Sequence, residues 1–221
     1  MEKNDLSVFD VLGKHYDLPY AEGTNRTKEQ ILIESTLLFA LKGYSDVSMR
    51  DIAQKVGITP AALYNHFTNK DDLWEAVMTH SIRLFHLYHE QLDDELKKAE
   101  SFEEIVRILF DEPSKMRNAF TCFAFGLIMK EQCRDIRAGK LFREVLIGFS
   151  VDFAKKWFDN AIERGLATPF DTKTASSAFV NSVMLCINLR VQELINSEVS
   201  FDIPAYFDGL RRFFMTVAGR L

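Results

Sequence analysis

The chain is expected to fold as an all-α protein, and three observations carry that expectation. Apolar residues recur at three- and four-residue spacings along nearly its whole length. Breakers are scarce, with 10 Gly and 5 Pro in 221 residues, which favours long helices over a many-turned β architecture. No segment reads convincingly as a strand, and no internal repeat or low-complexity linker interrupts the helices. About nine helices are expected, three of them in a small N-terminal head. Of 19 Phe, 16 lie beyond residue 80, so the rest forms a larger, aromatic-rich helical body.

Residues 1–23 are an acidic extension ending in the turn-rich Leu18-Pro19-Tyr20-Ala21-Glu22-Gly23. Leu6, Phe9 and Leu12 line one face of a short helix there, or the segment is a disordered tail; the sequence leaves both open. From Thr27 the period is helical, with Ile31, Leu32, Ser35, Leu38 and Phe39 on one face and Gly43 as a C-cap. Ser48-Met49-Arg50-Asp51 is a capping box for a short helix that buries Ile52, Ala53 and Val56 and ends at Gly57. Thr59 caps a third helix, with Pro60 at its first position, where a missing N–H costs nothing. That helix runs to Phe67 with Ala62, Leu63 and Phe67 inward.

Asn69 caps a long fourth helix, with Asp71 and Asp72 in its first turn, where carboxylates suit the dipole. Leu73, Val77, Leu84, Tyr88, Leu92 and Leu96 mark its inner face. A second capping box, Ser101-Phe102-Glu103-Glu104, opens a helix with Phe102, Ile105, Val106, Leu109 and Phe110 inward, and Pro113 marks the next break. Another helix starts after Asn118, kinked or ended by Gly139. A long helix covers 141–164 and is closed by Gly165. Asp171 caps a helix to about Ser197. Pro204 opens the last, which carries Phe207, Leu210, Phe213, Phe214 and Val217.

Composition narrows the function classes. Hydrophobic residues make up 47% and charged residues 27%, ordinary for a globular chain with a filled core. Cys122, Cys133 and Cys186 form no Cys-x-x-Cys pair, which suits a reducing compartment; Cys122 and Cys133 read as core. Residues 1–23 lack the pattern of a signal peptide, and the longest apolar run, 119–129, falls short of the ~20 residues that span a bilayer. A cytoplasmic protein without membrane contact is expected. The net charge of −5 is unevenly spread. Residues 1–23 hold two Lys and five Asp/Glu (−3), residues 24–70 hold six Lys/Arg and four Asp/Glu (+2), and residues 71–221 hold 19 and 23 (−4). Only the middle segment is basic, so contact with nucleic acid rests on a few placed charges.

Within that segment, residues 48–67 read as two short helices joined by a tight turn at Gly57-Ile58. Ala53 sits where the two approach closely. This is helix-turn-helix patterning, whose second helix enters a major groove ~12 Å wide. The plainer reading of these residues alone is an ordinary corner between two helices. Phe39, Gly43-Tyr44, Ser48, Ile52-Ala53, Gly57, Tyr64, His66-Phe67, Lys70 and Leu73 recur at set spacings, and residues 27–77 thereby resemble the tetracycline-repressor (TetR) family. The remainder agrees in helix number and order and in the Glu163-Arg164-Gly165-Leu166 turn.

The resemblance implies a DNA-binding domain over 24–70 and a ligand-binding and dimerisation domain over 71–221. It implies that the helix from Thr59 is the recognition helix, with Thr59, Pro60 and Ala61 meeting DNA. Tyr64 and His66 would reach phosphates or base edges. Lys70 would bind a phosphate with help from the helix N-terminus, Ser48 would do the same, and Arg26 and Lys28 would touch backbone or minor groove. The chain departs from the family pattern at Ala61 and Ala62, where polar or Gly residues are common. Asn65 remains as a bidentate adenine contact, with the Thr59 methyl against thymine.

For the body, the resemblance implies a small effector and a homodimer through the last two helices. Phe149, Phe153 and Trp157 form an aromatic stripe, and Phe123 and Leu127 another one helix earlier. With Phe110, Asn181 and Met184 they are the candidate lining of an apolar or aromatic ligand site; plain core packing is the alternative. Val183, Ile187, Phe213 and Phe214 are candidates for the dimer seam by spacing. His86, His89, Glu90 and Asp93 lie on consecutive turns and allow a zinc site, but a solvated helix face explains them better, so no metal and no cofactor are expected. No phosphate loop or nucleophile-base arrangement appears, so an enzyme is not expected. The expected function is that of a DNA-binding transcription regulator, a repressor released by a small apolar or aromatic ligand. The alternative is a nucleoid-organising or protein-recruiting factor without an inducer.

Overall fold

The structure, a computed structural model, describes residues 26–114, 119–195 and 201–218. The readings made for residues 1–23 lie outside them. The described residues are helical with no strand, as expected, and form nine helices when three contiguous segments are taken as one. We label them α1 (Arg26–Lys42), α2 (Met49–Val56), α3 (Pro60–Tyr64), α4 (Lys70–Leu96), α5 (Phe102–Ser114), α6 (Ala119–Glu131), α7 (136–163), α8 (Thr172–Ile195) and α9 (Ile203–Ala218).

Two compact units emerge. One holds the chain to Arg83 together with Asn118–Gly139; the other holds Leu84–Arg117 and Lys140–Leu221. The packing units are therefore not the consecutive segments 24–70 and 71–221. In the first unit α6 lies along α1, and α1 packs on α2. The reason is that α6, Ala-Phe-Thr-Cys-Phe-Ala-Phe-Gly-Leu-Ile-Met-Lys-Glu, is apolar on every side. Cys122, Phe123, Ala124, Phe125, Leu127 and Ile128 are all buried, and such a helix needs partners all round. Ile31, Phe39, Ile52, Leu63, Leu73 and Trp74 complete this core, with the Trp74 ring edge-on to Phe39 at 5.5 Å.

In the second unit the phenylalanines form a continuous packed series. Phe110 of α5 meets Phe179 of α8 at 4.7 Å and Phe214 of α9 at 5.0 Å, and Phe214 stacks on Phe158 of α7. Each such pair adds roughly 0.5–1.5 kcal/mol to the burial of its rings. At the far end of α7, Arg164 donates to the Ala99 carbonyl at 2.7 Å, and Gly165 in the left-handed region closes the helix.

Helix α7 is not uniform. It is α-helical over Ile136–Leu141, π-helical over Phe142–Phe149 and α-helical again over Ser150–Glu163. In a π-helix the hydrogen bond reaches five residues back, which widens the turn. Gly148 suits the widening, since a Cβ there would lie 3.2 Å from the Arg143 carbonyl oxygen.

Several boundaries differ from expectation. The helix over the 119–139 region stops at Glu131, and Asp135 starts α7 by accepting the Arg137 and Ala138 amides at 2.8 and 3.1 Å; Gly139 is an interior, buried residue. α5 continues one residue past Pro113. In its cap Ser101 accepts the Glu104 amide, but the Glu104 carboxylate reaches the Glu100 N–H and not that of Ser101. Cys133, expected in the core, is exposed in the turn between α6 and α7. Of the seam candidates, Ile187 and Phe214 are buried inside their own chain and Val183 is half-buried. Phe213, the fourth seam candidate, is 59% exposed on its own chain, and Leu185, not singled out, is 47% exposed.

Candidate nucleic-acid interface

The head is built by caps. Ser48 is a reciprocal capping box: its hydroxyl accepts the Asp51 amide, while Asp51 accepts both the Ser48 amide at 2.8 Å and the Ser48 hydroxyl at 2.6 Å. These bonds hold the Asp51 carboxyl below its usual range. They also occupy the Ser48 hydroxyl proton, so a phosphate at Ser48 would have to compete with Asp51. Gly57 (φ 78°) then ends α2 with a paired motif in which Ile58 N–H donates to Ala53 and Gly57 N–H to Gln54. A side chain with a Cβ rarely adopts that φ. The turn delivers the exposed Thr59, whose hydroxyl accepts the Ala62 amide at 3.2 Å.

α3 is shorter than expected, ending at Tyr64 with Asn65 as C-cap. The chain then turns, with His66 N–H donating to Leu63. Leu63 and Phe67 are buried, and α3 packs on α2. The opposite face is exposed: Thr59, Pro60, Ala61, Tyr64 (52%) and Asn65 form one continuous row. The Asn65 side chain makes no hydrogen bond among the described residues. His66 is half-exposed beside this row.

Lys70 stands at the start of α4. Its ammonium lies 4.3 Å from the centre of the Tyr44 ring and donates to the Ser45 carbonyl at 3.4 Å. Partial burial lowers its pKa, while Asp46 and Asp51 favour the charged form. Tyr44 in turn packs on Trp74 at 4.9 Å, which seats the α4 terminus against α1. Asn69 caps α4 through the Asp72 amide at 2.9 Å. Arg26 is exposed at the start of α1, and Lys28 lies over the Phe67 ring at 5.4 Å. The structure thus brings Thr59, Pro60, Ala61, Tyr64 and Asn65 together, and places Lys70 and Ser48 at two helix starts of the same unit.

Sequence reasoning passed over Arg50, exposed in the first turn of α2. It also passed over Arg137, whose guanidinium bonds Asp71 at 2.7 Å and Asp135 at 2.8 Å. A spacing of 66 residues between Arg137 and Asp71 gives no local signal.

The ligand candidates are divided between the two packing units. Phe123 and Leu127 are buried in the first unit. In the second, Phe110 belongs to the phenylalanine series and Met184 is buried. Trp157 is fixed, its Nε1–H donating to Asp93 at 3.1 Å beside the Lys156–Asp93 ion pair. Asn181 is exposed and so faces away from the interior. Phe149 and Phe153 do meet, at 6.3 Å, and both surround His89 at 5.1 and 4.9 Å. His89 is buried with Nδ1 at 2.9 Å from the Phe85 carbonyl, and burial pushes its pKa down to about 4. It is neutral at physiological pH. Asp93 is bound to lysine and the His89 ring sits on backbone, and among the described residues no three metal-ligating groups converge.

The comparisons fit this geometry. Residues 27–77 match the family model described as bacterial regulatory proteins, tetR family. The chain is 24% identical over 157 residues to the transcriptional activator FasR of Mycolicibacterium smegmatis, covering 59% of this chain and 72% of that one. It is 31% identical over 58 residues to IcaR of Staphylococcus epidermidis, a negative regulator of a biofilm operon, covering 26% of this chain and 31% of that one. Among solved structures, a TetR-family regulator from Mesorhizobium loti superposes with a TM-score of 0.66 at 22% identity, covering 87% of this chain and 96% of the other. The fatty acid degradation regulator FadR from Bacillus halodurans superposes at 0.63 with 17% identity, covering 86% and 95%.

Proposed function

Because the chain belongs to the TetR family of transcriptional regulators, we propose that its DNA contacts come from residues 24–70 and its control from a small ligand held in the second packing unit. It is a DNA-binding regulator. The observation that carries the assignment of contacts is the exposed row Thr59, Pro60, Ala61, Tyr64 and Asn65 on a helix capped at both ends and anchored by buried Leu63. A helix face so presented fits a major groove. Thr59 and Asn65 read bases, Tyr64 and His66 touch phosphate or base edges, and Lys70, Arg26 and Lys28 bind backbone. Arg50 joins the phosphate contacts.

The ligand is apolar or aromatic and lies against Phe149, Phe153 and His89, where Phe149 keeps 36% of its surface exposed. The regulatory outcome is repression relieved by that ligand. α4 supplies residues to both units, so a ligand that prefers one arrangement of its later turns shifts the population in which Lys70 meets DNA. A coupling of roughly 1–3 kcal/mol changes affinity about 5- to 150-fold. The regulator acts as a homodimer through α8 and α9, on a two-fold operator.

Binding selection from random duplexes, followed by anisotropy on the selected site, tests the contacts. Lys70→Ala should weaken all sequences and reduce the salt slope by about one phosphate, roughly 0.9. Asn65→Ala should relax preference at one base pair. If both variants bind the selected site as wild type does at fixed salt, the assignment fails.

A further inference from the structure

We propose that Arg137 is a positioning residue for the DNA-binding surface, holding the first turn of α4 and offsetting the charge of Asp71 beside Lys70. The inference rests on the reading in which Lys70 meets a phosphate.

The first turn of α4 carries two carboxylates. Asp72 is used locally, accepting the Thr68 amide at 2.8 Å and the Thr68 hydroxyl at 3.0 Å. Asp71 has one partner among the described residues, the Arg137 guanidinium at 2.7 Å. An exposed carboxylate next in sequence to a phosphate-binding lysine repels the phosphate that the lysine attracts. Arg137, shared with Asp135, offsets part of that repulsion.

The guanidinium is itself held in place. Its Nη2 and Nε meet both oxygens of Asp135, at 2.8 Å and at 3.3 Å for each Nε contact. Asp135 is fixed by its role as the cap of α7, where its Oδ1 accepts two amides. A lysine carries its three donors on one nitrogen and has no fork, so it would lose the Nε contacts that fix the side chain on Asp135. The Tyr44 ring shares this neighbourhood: it carries the Lys70 ammonium on its face and feels the charges of Asp71, Arg137 and Asp135. Arg137 therefore acts on the same few residues that aim Lys70, without needing to touch DNA.

The test uses the full chain and a random-sequence duplex, followed by fluorescence anisotropy across a salt series. Arg137→Gln should weaken binding about tenfold at low salt, with the gap shrinking as salt rises. Asp71→Asn alone should bind at least as well as wild type. Asp71→Asn combined with Arg137→Gln should recover most of the loss, because the charge next to Lys70 is gone, while Asp135 still accepts the amides that it caps. Lys70→Ala is measured beside them. If Arg137→Gln binds as wild type while Lys70→Ala weakens, the positioning role is wrong and the DNA reading stands. If the double variant is as weak as Arg137→Gln, Arg137 touches phosphate itself and the proposal is overturned. If Lys70→Ala binds as wild type, the reading of Lys70 falls and this one with it. Near-ultraviolet circular dichroism of each variant should match wild type; its loss in Arg137→Gln would make the ion pair a folding element and overturn the proposal equally.

Discussion

Replacing Gly57 by alanine should destabilise the chain by about 1 kcal/mol while leaving the folded head able to bind DNA. Gly57 has φ 78° and ψ 28°. A Cβ built there meets nothing within 4 Å, so the substitution carries no steric clash with the rest of the protein. The cost is conformational: a residue with a Cβ pays roughly 1–2 kcal/mol to enter the left-handed region. Alanine also narrows the unfolded ensemble, which returns about 0.4–1 kcal/mol. The difference is about 1 kcal/mol. With a urea slope of roughly 1–3 kcal/mol per molar, the unfolding midpoint should fall by about 0.3–1 M. Gly57→Asn should lose less, since asparagine enters that region more readily. Well below the melting temperature almost every molecule remains folded, so operator affinity should be nearly unchanged. An unaltered midpoint would refute the left-handed turn. A loss above about 3 kcal/mol, or a collapse of DNA binding in a folded variant, would refute the absence of neighbours around the turn.

Two further expectations follow from burial. Glu34 is fully buried in α1 with neither carboxylate oxygen hydrogen-bonded, and burial raises its pKa above 4.5. A raised acid favours the protonated fold, so its contribution is present below about pH 4.5 and is lost as pH rises through the raised value. Glu34→Gln should therefore stabilise the chain at pH 7 by about 1–3 kcal/mol and flatten the fall of Tm above pH 4.5; an equal or lower Tm at neutral pH would show a partner for the carboxylate. Phe213→Glu places a charge on the exposed face of α9, outside the chain's own core. Sedimentation should show a monomer with unchanged helicity, and a dimer that survives moves the seam elsewhere.

The sequence spoke most clearly where a single residue type solves a local problem. Ser48, Gly57, Thr59-Pro60, Asn69 and Asp171 each marked a boundary that the structure keeps, because capping chemistry is read within four residues. It spoke less clearly where the deciding partner is distant. Periodicity could not orient α6, which has no polar face, so Phe123 and Leu127 were grouped with a body to which they do not belong. Gly139 drew attention as a breaker when Asp135 was the actual cap. Asn181 and Phe213 lay on apolar helices, and only the packing of the neighbouring helices decided that they face outward. Of the DNA surface, the exposed row on α3 was legible; the Arg137 contact, made across the chain, was not.

The π-helical stretch of α7 has a consequence for how the family can vary along this helix. Deleting one residue from an ordinary α-helix turns everything downstream by ~100° and carries inward side chains to the surface. A widened turn holds surplus chain relative to an α-turn, so a residue lost there can be absorbed by tightening the turn. Residues 142–149 are thus the one place in α7 where length can change while Ala154, Trp157 and Phe158 keep facing their core. Homologues one residue shorter there should be aligned with their gap in this stretch, so that the helix beyond Ser150 stays in register.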